Sequence, residues 1–174
     1  AIYSIMTNHL IILAGGASSR MKKPSLSKLS EDIIDQANSR SKALILLNNR
    51  PMLDYVLYNA QQAGFQNIYI VIGKEGELFK TYYGKERIKN QFHGLLISYV
   101  YQRIPEGRIK PFGTADAVCQ SLEQYPELQG DEFVVCNCDN LYSEKAFNLL
   151  RTNKSPNAFI SYDRDALEYP QERI

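Results

Sequence analysis

The sequence predicts an α/β domain with three layers, in which helices cover both faces of a mostly parallel, Rossmann-like β-sheet. Two observations predict this fold. Continuous apolar runs of about five residues recur along the chain, and such runs are typical of strands buried on both faces of a parallel sheet. Between them lie stretches with apolar residues at spacings of three and four, which are typical of amphipathic helices.

Five apolar runs are predicted to form the strands. The first, 10–14, reads Leu-Ile-Ile-Leu-Ala. The others are 68–72, 97–101, 133–136 and, as the last strand, 158–162. Their alternation with helical stretches favours strand–helix–strand units over an all-β arrangement.

Three helices are predicted between the strands. The first has Pro51 at its first position and stops at Gly64. The second is capped by Thr114 and ends before Pro126, and the third is capped by Ser143. The predicted inner faces are Met52, Leu53, Val56, Leu57, Ala60 and Ala63 in the first helix, Ala115, Val118, Cys119 and Leu122 in the second, and Ala146, Phe147 and Leu150 in the third.

Composition limits the classes of partner. The 174 residues suit one domain, and a net charge of +1 gives no electrostatic reason to expect nucleic acid or a membrane as the main partner. No stretch reaches the roughly 18 apolar residues of a membrane span, and no secretion signal is recognisable. With three cysteines in no regular spacing and two histidines, a disulfide framework or a zinc site is not expected. We therefore expect a cytoplasmic protein with reduced thiols.

The stretch 22–41 interrupts the alternation of strands and helices. It is polar and serine-rich, contains Pro24, and has only a weak helical run from 31 to 37. We interpret it as an inserted, mobile surface loop.

The loop after the first strand, 15–20, reads Gly-Gly-Ala-Ser-Ser-Arg. A glycine pair between a strand and a helix lets backbone N–H groups approach phosphate oxygens, and Arg20 adds a fixed positive charge. The loop matches neither GxGxxG nor the P-loop motif, so a dinucleotide dehydrogenase is disfavoured. A tight turn with one exposed arginine is the structural alternative.

Extended to 13–21, this loop resembles the signature of the nucleoside-triphosphate transferase family, which includes sugar-1-phosphate and molybdenum-cofactor nucleotidyltransferases. The resemblance implies the fold of the nucleotide-diphospho-sugar transferases. It also implies that the loop wraps a triphosphate, with Arg20 on the phosphates. The nucleotide-binding residues implied here are Leu13, Ala14, Gly15 and Gly16.

The segment 42–53 is similar to the family's lysine segment, in which a lysine precedes an apolar strand, a turn and a Pro-Met/Leu-Leu sequence. The resemblance makes Lys42 the phosphate-binding lysine. Ser41 stands where the family usually has proline, and the gap back to Arg20 is long. Lys23, which is followed by proline, is the rival for the role.

Two further segments match in the family's order. Gln102 and the Gly113-Thr114-Ala115 turn resemble the nucleobase-binding segment, and a glutamine amide offers a donor and an acceptor to a base. Asp139, three residues after the apolar run 133–136, resembles the aspartate that holds the divalent cation, although Cys138 replaces the usual glycine. The resemblance thus implies Gln102, Gly113 and Thr114 as base-binding residues and Asp139 as a ligand of Mg²⁺.

The resemblance implies a nucleotidyltransferase that joins a nucleoside triphosphate, UTP or dTTP, to a sugar 1-phosphate and releases pyrophosphate. Residues 8–174 would form the catalytic domain, and we expect them to lack its C-terminal sugar-binding part. A homo-oligomer is left open. The alternatives are a molybdenum-cofactor-type nucleotidyltransferase and a non-catalytic nucleotide-binding module. A glycosyltransferase is disfavoured because 139–141 reads Asp-Asn-Leu in place of Asp-x-Asp.

Overall fold

The computed structural model describes residues 6–15, 41–73, 76–85 and 91–163. The predicted inserted loop therefore lies outside the described residues, except for Ser41. In chain order the strands are β1 (His9–Leu13), β2 (Leu46–Leu47), β3 (Arg50–Pro51), β4 (Asn67–Ile72), β5 (Gln91–Phe92), β6 (Leu95–Tyr101) and β7 (Phe133–Asn137). The helices are α1 (Met52–Gln62), α2 (Glu77–Tyr83), α3 (Thr114–Gln124) and α4 (Glu144–Thr152), with short 3₁₀ helices at Lys42–Leu44 and Pro126–Gln129.

The main sheet has the strand order β5-β6-β4-β1-β7. β1 pairs in parallel with both β4 and β7, and β4 pairs in parallel with β6, while the short β5 is antiparallel. The predicted mostly parallel sheet is therefore confirmed. Along the chain the strands move outward from β1 to β4 and β6, and β7 then returns to the other side of β1. Such a reversal opens a crevice at the carboxyl ends of the strands, which is where open α/β sheets bind ligands.

Alternating strand residues point to opposite faces of the sheet, and each face has its own core. Leu10 and Ile12 of β1 pack in a large core with α1, α2 and α4, whereas Ile11 packs in a smaller core with α3 and Leu128. These β1 side chains are fully buried. The strands are therefore apolar on both faces, as the continuous runs predicted, and the three-layer fold is confirmed.

All three predicted helices are confirmed with small shifts of their ends. In α1 the predicted inner face is buried except for Met52, which is half-buried. Gly64 follows with a φ of 96°, and Pro51 lies one residue before the helix begins. In α4 the Ser143 hydroxyl accepts a hydrogen bond from the Ala146 N–H at 3.1 Å, which is the predicted cap. No helix in the described part of the chain has the length and apolar character needed to cross a lipid bilayer.

The predicted inner face of α3 is wrong except at Leu122, which packs against the smaller core. Ala115 and Cys119 are exposed and Val118 and Leu122 are half-buried, while the buried residues are Ala117, Gln120 and Ser121. The predicted cap is also one residue off, because Thr114 begins the helix and Gly113 occupies the cap position with a φ of 125°.

The open edge of β6 explains why α3 turns a polar face inward. β5 pairs only with residues 95–96, so the rest of that edge needs other hydrogen-bond partners. The Gln124 amide bonds to both backbone groups of Tyr101, at 2.9 and 3.0 Å, and the Gln120 amide does the same for Arg103, at 2.7 and 3.2 Å. The Tyr125 hydroxyl donates to the Tyr99 carbonyl oxygen at 2.7 Å. These three side chains thus pair the backbone at the end of β6 and just after it, which β5 does not reach.

The predicted last strand at 158–162 is also wrong, because the structure has no strand there. Phe159 is 87% exposed, and the segment is separated from β7 by a cavity of about 610 Å³ whose other walls are β7 and α4. An apolar run becomes a strand only when its backbone pairs with a neighbour, and this segment has no such pairing with β7.

Two phenylalanines test this arrangement of the core. Phe147 of α4 is 1% exposed and packs edge-on against Phe65, so Phe147→Ala is expected to lower the free energy of unfolding by about 3–5 kcal/mol. Phe159→Ala is expected to change it by less than about 0.5 kcal/mol. Urea denaturation of both variants measures the difference. If Phe159→Ala lowered the free energy of unfolding as much as Phe147→Ala, segment 158–162 would have to pack in the core.

Candidate active site

The carboxyl ends of four neighbouring strands bring most of the predicted site residues into one row. Leu13 ends β1, Gln102 follows β6 directly, and Asp139 comes two residues after β7. Because β6, β4, β1 and β7 are adjacent and parallel, these residues meet at one edge of the sheet. The ends of β6 and β7 are roughly 14 Å apart, three spacings of about 4.8 Å each.

Gly15 lies in the middle of this row, where other groups come close to its backbone. The Ala14 N–H donates to the Val71 carbonyl oxygen at 2.8 Å and so holds the loop start against β4. A Cβ atom at Gly15 would lie 3.2 Å from Gln102 Oε1 and 3.5 Å from the Gly73 nitrogen. A larger residue would therefore push the Gln102 side chain away.

Lys42 and Asp139 form an ion pair at the β7 side of the row. Their Nζ and Oδ2 atoms are 3.2 Å apart although the residues are separated by 97 positions in the chain. Two contacts to the end of β1 position them: the Ser41 hydroxyl donates to the Ala14 carbonyl oxygen at 3.3 Å, and the Cys138 N–H donates to that of Leu13 at 3.2 Å.

The exposure of this ion pair bears on its role. The Lys42 and Asp139 side chains are 28% and 41% exposed. A pair so open to solvent contributes only about 0–1 kcal/mol to stability. A cation and a carboxylate at the mouth of the crevice are available to a charged ligand.

Gln102 is held by a network at the β6 side of the row. Its backbone N–H donates to the Ile72 carbonyl oxygen at 3.0 Å, and its Nε2 donates to Asp116 at 3.1 Å and to the Gly113 carbonyl oxygen at 3.3 Å. Asp116 also accepts a hydrogen bond from Gln120 at 2.9 Å. Sequence reasoning missed Asp116, because an acid in the first turn of a helix is ordinary on dipole grounds.

Of the remaining predicted residues, some are described by the structure and others are not. Thr114 is exposed at the start of α3, directly after Gly113. Gly16 and Arg20, and the rival Lys23, lie outside the described residues.

The residues around Asp139 are compatible with Mg²⁺. Asp139 supplies a carboxylate oxygen, and Mg²⁺ is often bound by one or two carboxylates together with substrate phosphates. No group of three or more acidic, cysteine or histidine side chains suited to a metal occurs in the described ranges. Burial raises the pKa of Cys136 and raises that of Cys138 to about 12, so both thiols are protonated at neutral pH.

A family model matches nearly the whole chain. The profile described as "MobA-like NTP transferase domain" matches residues 10–169. D-glycero-alpha-D-manno-heptose 1-phosphate guanylyltransferase of Aneurinibacillus thermoaerophilus is 26% identical over 76% of this chain and 46% of its own length. Bifunctional protein GlmU of Staphylococcus epidermidis is 30% identical over 75% of this chain and 22% of its own length. The chain thus spans less than half of either relative.

A solved structure shares the fold. UDP-glucose pyrophosphorylase, in complex with UDP-glucose, superposes with a TM-score of 0.59 over 84% of this chain and 52% of that one. At 19% sequence identity this likeness concerns the arrangement of strands and helices. The predicted nucleotide-diphospho-sugar transferase fold is therefore confirmed.

The thiols beside Asp139 provide a test of the local packing. Because burial raises the pKa values of Cys136 and Cys138, little thiolate forms there at mildly alkaline pH, and alkylation is expected to be slow. Cys119 is exposed and should react first. Native-state labelling with iodoacetamide, read by mass spectrometry, checks the order, with Cys119→Ser as the control that removes the fast site. Labelling of Cys138 as fast as Cys119 would contradict the described packing.

Proposed function

The chain belongs to the MobA-like NTP transferase domain family, and we propose that it acts as a nucleotidyltransferase that joins a nucleoside triphosphate to a sugar 1-phosphate and releases pyrophosphate. One observation carries the proposal. Lys42 and Asp139, which the sequence motifs assign to phosphate and cation binding, meet at 3.2 Å at one end of the strand row, and Gln102 lies at the other end. A nucleotide spanning the row would have its base beside Gln102 and its phosphates beside Lys42.

The reaction requires positioning and charge neutralisation more than a strong base. An oxygen of the sugar 1-phosphate, already ionised, forms a bond to the α-phosphorus, and the bond from that phosphorus to the bridging oxygen breaks. Pyrophosphate leaves with the electron pair. Lys42 would neutralise charge on the transferring phosphate, and Arg20 is proposed for the same task from the first loop.

The remaining roles follow from the row. Gly15 would let the nucleotide approach the backbone, and Leu13, Ala14 and Gly16 would form the rest of the loop around it. Asp139 would hold Mg²⁺, which when bound supplies positive charge to the phosphate oxygens. For these roles Lys42 must exchange its contact with Asp139 for one with phosphate, which the partial exposure of both side chains allows.

Both proposed substrates have support in the names of the relatives. The A. thermoaerophilus relative is named for a heptose 1-phosphate, which supports a sugar 1-phosphate over a molybdenum cofactor as the acceptor. That relative is a guanylyltransferase, whereas the superposed structure holds a uridine nucleotide. We propose UTP or dTTP as the donor, with GTP as the alternative.

Pyrophosphate release tests the proposal. The chain is incubated with Mg²⁺ and each of UTP, dTTP, CTP, GTP and ATP. The acceptors tested are a panel of hexose and heptose 1-phosphates and, separately, the pterin acceptor of the molybdenum cofactor. Release that needs both substrates is expected. Nucleotide binding without release with any acceptor would favour the non-catalytic module, and release only with the pterin acceptor of the molybdenum cofactor would favour that branch.

Lys42→Met is expected to lower the rate of pyrophosphate release about 10²–10³-fold, because it removes charge from the transferring phosphate. The melting temperature should barely change, since the pair with Asp139 is largely open to solvent. Lys145→Met, which changes an exposed lysine of α4, is the matched control and should leave both quantities unchanged. An active Lys42→Met protein would remove Lys42 from the mechanism.

Asp139→Asn is expected to raise the Mg²⁺ concentration needed for half-maximal activity at least about tenfold, because a neutral amide is a poorer ligand for a hard cation. Titration of activity with Mg²⁺ measures this. An unchanged titration curve would place the cation elsewhere.

A further inference from the structure

The orientation of the Gln102 amide is determined by its surroundings. One of its two terminal atoms lies 3.1 Å from an oxygen of Asp116 and 3.3 Å from the Gly113 carbonyl oxygen. Both neighbours act as acceptors, so the atom that faces them must be the NH₂ group. The two N–H bonds of Gln102 are thereby directed at protein oxygens, and its Oε1 is left toward Gly15.

Asp116 is itself fixed, which makes this orientation stable. It accepts a second hydrogen bond from Gln120 Nε2 at 2.9 Å. Gln120 is buried, and its amide is bound to the N–H and the carbonyl oxygen of Arg103, so it cannot turn over without losing both. The chain of contacts from the Arg103 backbone through Gln120 and Asp116 therefore holds the Gln102 amide in one orientation.

We propose that Asp116 is a positioning residue that sets the base preference of the site by making Gln102 a hydrogen-bond acceptor only. The proposal rests on the function proposed above. An acceptor at this place fits a base with a ring N–H, which means N3–H of uracil and thymine or N1–H of guanine. It opposes cytosine and adenine, whose corresponding ring nitrogens are acceptors, because two lone pairs would then face each other in place of a hydrogen bond.

The sequence motif allowed Gln102 to act as a donor or as an acceptor toward the base, whereas the proposed role of Asp116 leaves only the acceptor. A free glutamine amide offers a donor or an acceptor and can turn to suit either kind of base. With Asp116 in place, turning the amide would bring Oε1 against a carboxylate oxygen. Asp116 also lies in the first turn of α3, where any acid favours the helix dipole. That role changes stability, but it leaves the ratio of affinities for two nucleotides untouched.

Calorimetric titration with UTP, CTP, GTP and ATP in Mg²⁺ tests the preference. The unchanged chain should bind UTP more tightly than CTP, or GTP more tightly than ATP. Asp116→Ala is expected to lower that ratio about tenfold, the value of one hydrogen bond. Asp116→Asn should keep most of the ratio, because its amide oxygen can accept from both glutamines. Glu123→Ala, an exposed acid on the same helix, is the control and should leave the ratio unchanged.

Nuclear magnetic resonance of the side-chain NH₂ groups, recorded without nucleotide, tests the contacts of Asp116 with the two glutamines independently of its effect on base preference. Asp116→Ala should shift the signals of Gln102 and Gln120, and Glu123→Ala should not. If the signals shift but no nucleotide binds to any variant, the proposed function fails and the base preference fails with it. If nucleotide binds and Asp116→Ala leaves the ratio unchanged, or the unchanged chain prefers CTP or ATP, the role of Asp116 alone is overturned.

Discussion

β1 lies between β4 and β7 and runs parallel to both, and this pairing decides where the candidate residues meet. Parallel neighbours direct their carboxyl ends to one edge, so segments separated by 97 residues in the chain, at Lys42 and Asp139, come into contact there. The backbone contacts of Leu13 and Ala14 with Cys138 and Ser41 fix the same two segments to the end of β1. The proposed roles of Lys42 and Asp139 in phosphate and cation binding depend on these contacts.

α3 pairs the open edge of the sheet and also determines the surroundings of Gln102, where the base is proposed to bind. The open edge of β6 and of the residues just after it would leave backbone groups unpaired. Gln124 and Tyr125 pair those of β6, and Gln120 pairs those of Arg103. Gln120 then reaches Asp116, and Asp116 reaches Gln102. The same set of hydrogen bonds therefore pairs the edge of the sheet and orients Gln102, a candidate base-binding residue.

The sequence predicted the parts of the fold that follow from periodicity. The four longer strands carry apolar residues on both faces, so their runs were recognisable, and Ser143 is an ordinary cap. The inner face of α3 was not predictable, because Gln120 is buried where its amide pairs with the backbone of Arg103, which lies 17 positions away and just beyond β6. The run at 158–162 has the composition of a strand, but its backbone does not pair with β7. The family motifs marked Lys42, Gln102 and Asp139, whereas Asp116 became visible only through its contacts.

Nucleotide binding by Gly15→Ala is the most direct measurement of whether the nucleotide spans the row from Gln102 to Lys42. The added methyl group would press on Gln102 Oε1, which Asp116 and Gly113 hold in place, so binding of the preferred triphosphate should weaken about tenfold. Gly130→Ala, where the added group meets open space and φ is −100°, should bind as the unchanged chain does. Equal affinities of the two variants would contradict a nucleotide that passes over Gly15.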